Sequence, residues 1–135
     1  MAETGPNNMW HLLLRLSHLH RSLKNTQHAA RMAEASLGHA HRVRSGVGVA
    51  RARALLAELF ESLGDLEAAQ EHRDAAVEEM RRLGDRRGTA ELLLAGSTAT
   101  STMVRIQPNA LREARELATE IGWSEGIRRA ENSSS

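Results

Sequence analysis

The sequence predicts an all-α chain, an α-solenoid of about three antiparallel helix pairs, and three observations lead there. Rings are scarce, with two Trp, one Phe and no Tyr among 135 residues. Leu, Ala, Val and Met must therefore fill the interior, and such small or straight side chains suit closely packed helices. The only prolines, Pro6 and Pro108, leave roughly a hundred residues between them without a helix breaker. Finally, Gly48, Gly88 and Gly126 recur 40 and 38 residues apart in similar contexts, the periodic echo of a repeat array.

The elements follow from this echo in chain order. Residues 1–7 (MAETGPN) have no apolar periodicity and are expected to be disordered. A helix over 8–23 ends at Leu23-Lys24-Asn25, and a second runs over 26–44. The third and fourth, 48–62 and 66–83, form the clearest pair. Leu55, Leu56, Leu59, Phe60 and Leu63 make one apolar stripe, and Ala69, Ala76, Val77 and Met80 a second that faces it. Between them Leu63-Gly64-Asp65 lies 40 residues after Leu23-Lys24-Asn25. Helices at 88–104 and 109–121 complete the third pair, with Pro108 tolerated in a first helical turn. A short piece at 126–131 and a disordered tail, 132–135, close the chain. Asn25, Asp65 and Asn109 are expected to cap their helices by accepting backbone N–H groups, and the three recurring glycines to mark turns between repeats.

Within the middle pair, Leu56, Ala57, Phe60, Gly64, Ala69 and Ala76 stand where the tetratricopeptide repeat places a large apolar residue, a small one, an aromatic, a glycine and two alanines. The segment resembles that family. Leu16, Ser17, His20, Ala29 and Ser36 repeat the pattern earlier, and Gly96 and Ala114 later, with Thr100 where the aromatic belongs. Repeats at about 8–47, 48–87 and 88–126 then form a single domain over 8–131. The family's closing proline is replaced by Arg81 ahead of the LGDRRG turn. The slightly long repeat is similar to arrays of bacterial regulatory proteins.

The resemblance implies a right-handed superhelix whose concave face holds a protein or peptide. Carried over repeat by repeat, its groove positions are His11, Leu14, His18 and Arg21, then Arg51, Ala54, Glu58 and Glu61, then Glu91, Leu94, Thr98 and Ser101. The lysine and asparagine of carboxylate-gripping relatives are missing from these places. A partner with basic and apolar residues suits Glu58, Glu61, Glu91 and Leu94 better.

Other functions find less support. Net charge is +1, so nucleic acid gains no general electrostatic attraction, although residues 1–50 carry six basic and two acidic groups and six of seven histidines. The arginine clusters Arg81-Arg82, Arg86-Arg87 and Arg128-Arg129 read as solvated helix faces with no interleaved aromatic. No apolar run approaches a membrane span or signal sequence, and the absence of cysteine excludes disulfides and fits the cytoplasm. No nucleophile elbow, phosphate loop or cofactor motif is present, so an enzyme is not expected.

Two readings compete with an open groove. A last pair without a polar cap would leave apolar surface, giving a homodimer through terminal repeats, and the same end fits a piece of a longer array. A metal site is the weaker rival, because His18 and His20, like His39 and His41, are two apart and point about 200° from each other on a helix. Zinc is accordingly expected to leave the melting temperature unchanged; a rise on titration would mark a histidine site between helices.

Overall fold

The computed structural model describes residues 9–99 and 108–134. Among the described residues seven helices succeed one another: α1 (Met9–Ser22), α2 (Thr26–Arg42), α3 (Gly46–Ser62), α4 (Leu66–Leu83), α5 (Arg86–Ala99), α6 (Pro108–Glu120) and α7 (Ser124–Ser134). The described residues contain no strand, so the all-α class holds. Two compact units divide the chain at Glu79/Met80, within α4.

All five described connections have the same construction. The residue after the last helical turn adopts positive φ, at Lys24 (67°), Arg44 (57°), Gly64 (85°), Gly84 (76°) and Gly122 (73°). Its N–H donates to the carbonyl three residues back, and the next N–H, that of Asn25, Ser45, Asp65, Asp85 or Trp123, donates to the carbonyl five back, all at 2.8–3.2 Å. This is the Schellman closure, which satisfies carbonyls that a helix end leaves free. The first four closures fall at 24, 44, 64 and 84. The forty-residue echo is thus two single-helix steps of twenty.

Helix starts differ from expectation. Asp65 Oδ1 accepts from Ala68 N at 3.1 Å, but Asn25, at φ −94° and ψ 67°, makes no side-chain cap bond, being outside the extended geometry a cap needs. Ser45 has that geometry and accepts from Gly48 N, as Asp85 does from Gly88 N at 2.8 Å. Asn109 sits inside α6, one residue after Pro108. The glycines at 48, 88 and 126 are not turn residues; each is the third residue of its helix. Glycine stands there because the space of a Cβ is already taken: by Trp10 and Ala40 at 48, by Asp85 and Met80 at 88, and by the Trp123 ring at 126. α3, α5 and α7 therefore begin two residues earlier than the turn reading predicted. α7 also continues to Ser134, helical where a disordered tail was expected from 132, with Ala130 at 2% exposure anchoring it.

In the first unit Leu14, Ala29, Ala30, Ala33, Ala52, Leu55, Leu56 and Leu59 form the core, with Trp10, Leu37 and Phe60 at its margin. Alanines on α2 let α1 approach closely enough for buried hydroxyls to cross between them. Ser17 donates to the Ala29 carbonyl at 2.6 Å and Ser36 to that of Trp10 at 2.7 Å. α4 adds buried Ala69, Ala76 and Val77, but Leu63, assigned to the apolar stripe, is exposed beside its turn. In the second unit Leu94, Leu111, Ala114 and Ala130 are buried together against Leu93 and Trp123.

Lys24 and Arg44 carry side chains where glycine stands in the other closures. Left-handed backbone costs an L-residue about 1–2 kcal/mol, partly offset by the entropy glycine loses on folding, about 0.5–1 kcal/mol. Arg44→Gly is expected to raise urea stability by about 0.5 kcal/mol. Gly64→Ala, whose Cβ meets nothing within 4 Å, should lower it by about 1 kcal/mol. A change of the same sign in both variants would contradict the shared closure.

Candidate functional site

The groove positions assigned from the sequence separate by environment. In the first unit His11, His18, Arg21, Arg51 and Glu58 are exposed, Ala54 and Glu61 are half-buried, and Leu14 lies in the core. Arg21 and Glu58 are brought together, their Nη1 and Oε1 2.5 Å apart. That pair joins α1 to α3 and puts the polar edges of the two helices on one surface. Glu61 turns instead to Arg73 on α4, at 3.5 Å.

In the second unit Glu91 is exposed and paired with Arg87 one turn earlier, at 3.3 Å. Leu94 is 1% exposed, a packing residue. Thr98 falls in α5 without a described side chain, and Ser101 and Thr100 lie outside the described residues. All three carboxylates assigned to a basic partner, Glu58, Glu61 and Glu91, therefore already face an arginine. The Glu58 and Glu91 pairs are exposed, and such pairs contribute about 0–1 kcal/mol, little enough for a competing cation to displace, whereas the Glu61 pair engages a buried Arg73.

The arginine clusters are more engaged than solvated faces would be. Arg81 makes a two-pronged pair with Glu113, Nε–Oε2 at 3.0 Å and Nη2–Oε1 at 2.5 Å. Arg86 approaches Glu120 at 3.6 Å. Arg87 lies over the Trp123 ring at 4.4 Å, with Arg129 at 5.8 Å from its centre. An aromatic does interleave these cations, brought from 36 residues along the chain (87 to 123) where no local pattern could reveal it.

Sequence reasoning also missed a polar cluster between α3 and α4. The His72 ring stacks on Phe60, centroids 5.4 Å apart and planes within 4°. Arg53 Nη1 lies 3.3 Å from His72 Nδ1. Guanidinium can only donate, so Nδ1 accepts and the imidazole is neutral with its proton on Nε2. The His72 pKa is lowered from its ordinary value, first by burial and then by the Arg53 charge, while Glu34 and Glu71 oppose the shift. Beside it Arg73 is 3% exposed, and its Nη1 has no hydrogen-bond partner. The signal available was spacing: 53 and 73, like the closures, stand twenty apart.

The remaining histidines disperse. His20 tilts against His28 on α2, rings 5.1 Å apart, while His18 is exposed; His39 is half-buried and His41 exposed. Among the described residues no three His, Asp or Glu gather as a metal would require, and no described helix is long and apolar enough to cross a membrane. Compared with models of protein families and with curated proteins, the chain finds no match in either.

The His72 cluster has a consequence in solution. The folded protein holds this proton less tightly than the unfolded chain, so below the ordinary histidine pKa of about 6.5 the unfolded state binds more protons and stability falls with pH. Urea unfolding is expected to show a lower free energy at about pH 5.5 than at about pH 7.5, with a flatter profile in His72→Phe. An unchanged profile in that variant would remove His72 as the cause.

Proposed function

We propose that the chain is a tetratricopeptide-like module, a right-handed solenoid of helix pairs that binds a protein or peptide and performs no catalysis. On this reading it serves as an adaptor or sensor in bacterial cytoplasmic signalling or transcription regulation. The observation that supports the reading best is the surface shared by α1 and α3. Arg21 and Glu58 bridge the two helices there, and exposed His11, His18 and Arg51 accompany them. Side chains from consecutive first helices on one surface are what a groove-binding repeat protein needs.

The ion pairs refine the partner's chemistry. A basic, partly apolar segment reaches Glu58 by replacing Arg21, exchanging one exposed pair for another at little cost. Nucleic acid is disfavoured, since Arg21, Arg73, Arg81, Arg86, Arg87 and Arg115 all face carboxylates.

The test uses affinity capture from cells of the source organism, followed by calorimetry with the purified partner. Glu58→Lys together with Glu91→Lys should abolish binding, and Arg21→Ala, which frees Glu58, should strengthen it several-fold. Melting temperatures should stay close to that of the parent protein, because the lost pairs are exposed. Unchanged affinity in both variants would overturn the groove.

A further inference from the structure

α1 is apolar on two opposite sides. Trp10, Leu14 and Ser17 turn into the core, as a helix of a packed bundle requires. On the far side Met9, Leu12, Leu16, Leu19 and the turn residue Leu23 are 39%, 52%, 43%, 54% and 61% exposed. Their spacing is 3, 4, 3 and 4, the seam of a coiled coil rather than a scatter of surface leucines. An open groove runs along it, edged by Arg15, His18 and Ser22. Soluble monomers rarely leave a contiguous apolar patch of more than about a few hundred Å² uncovered.

We propose that this seam pairs with the same seam of a second copy, the two α1 helices lying antiparallel. This inference does not rest on the α1–α3 groove: the leucines of the seam take no part in that groove, and His18 alone borders both surfaces. Leucine on leucine is self-complementary and needs no different partner surface. In the antiparallel register Leu12 packs against Leu23 of the second copy, and Leu16 against its Leu19, in four apolar layers related by a two-fold axis.

Charge selects the orientation. α1 carries no acidic residue, and among the described residues Arg15 has no ion-pair partner. A parallel pair would set Arg15 toward the His20 edge of the second copy and align two helix dipoles, both unfavourable. The antiparallel pair places Arg15 beside the uncharged Ser22 and opposes the dipoles. The chain's own first eight residues, MAETGPNN, hold only Met1, Ala2 and Pro6 as apolar side chains, too few to fill five seam positions.

A single helix face makes a small interface, below the roughly 800 Å² per partner of standard complexes, so a dimer of micromolar affinity is expected. Sedimentation equilibrium of the 135-residue chain across roughly 1–300 μM should show mass rising from 14.8 kDa towards twice that value. Leu16→Glu with Leu19→Glu, both on exposed positions, should stay monomeric throughout with unchanged helical circular dichroism. A parent protein monomeric at every concentration overturns the proposal and leaves the seam to a different helix. A dimer that survives the double substitution overturns it equally, by placing the contact elsewhere.

The absence of native cysteine permits a check of orientation. Leu12→Cys mixed with Leu23→Cys should form an intermolecular disulfide under oxidised glutathione, while Leu12→Cys alone should not. In the antiparallel register the two copies of residue 12 are separated by about 16 Å of helical rise. Self-coupling of Leu12→Cys would overturn the antiparallel arrangement.

Discussion

Everything in this fold depends on where the backbone is allowed to turn left. A helix ends when one residue takes positive φ and its neighbour's N–H reaches back to the carbonyl five residues earlier, and in the first ninety residues that happens at twenty-residue intervals. The four helices that end in these closures are thereby held to 14–18 residues, and consecutive helices emerge with their apolar sides in reach of each other. The core adapts to this interval. Alanines at 29, 33 and 40 on α2 and at 69 and 76 on α4, all fully buried or nearly so, admit close approach that larger side chains would forbid.

How much of this was legible in the sequence follows from what kind of signal each feature leaves. Helical class and, among the described residues, helix boundaries to within a few residues are written in local composition and in breaks such as Gly64-Asp65 and Pro108, while the end expected at 104 lies outside the described residues. The closures at Lys24 and Arg44 are not, because neither residue type favours positive φ and only the spacing to Gly64 and Gly84 betrays them. Gly48, Gly88 and Gly126 were visible as a repeat but misread as turns. The atoms that require glycine there, such as the indoles of Trp10 and Trp123, are tertiary neighbours or lie in the preceding turn.

The polar surface was legible as a list of residues and illegible as electrostatics. Glu58, Glu61 and Glu91 read in isolation suggest an acidic strip awaiting a cation. Each already faces an arginine, from α1, from α4 and from its own helix respectively. Only Arg87 lies within the helical spacing that sequence reasoning can use. Likewise, Leu14 and Leu94 share the family's groove register yet are interior, since a register fixes a position on a helix and says nothing about what lies over it. The Phe60–His72–Arg53 group needs two helices to exist at all.

The tryptophans are placed one to a unit, Trp10 at the margin of the first core and Trp123 beneath the Arg87 guanidinium in the second. Their emission is correspondingly separable. Trp10 borders apolar side chains, whereas a cation lies over the ring of Trp123, and the two environments tune indole fluorescence differently. A pair of single-indole proteins therefore carries two internal optical reporters. With them, the melting of residues 1–79 and of 80–135 could be followed independently, without any attached dye.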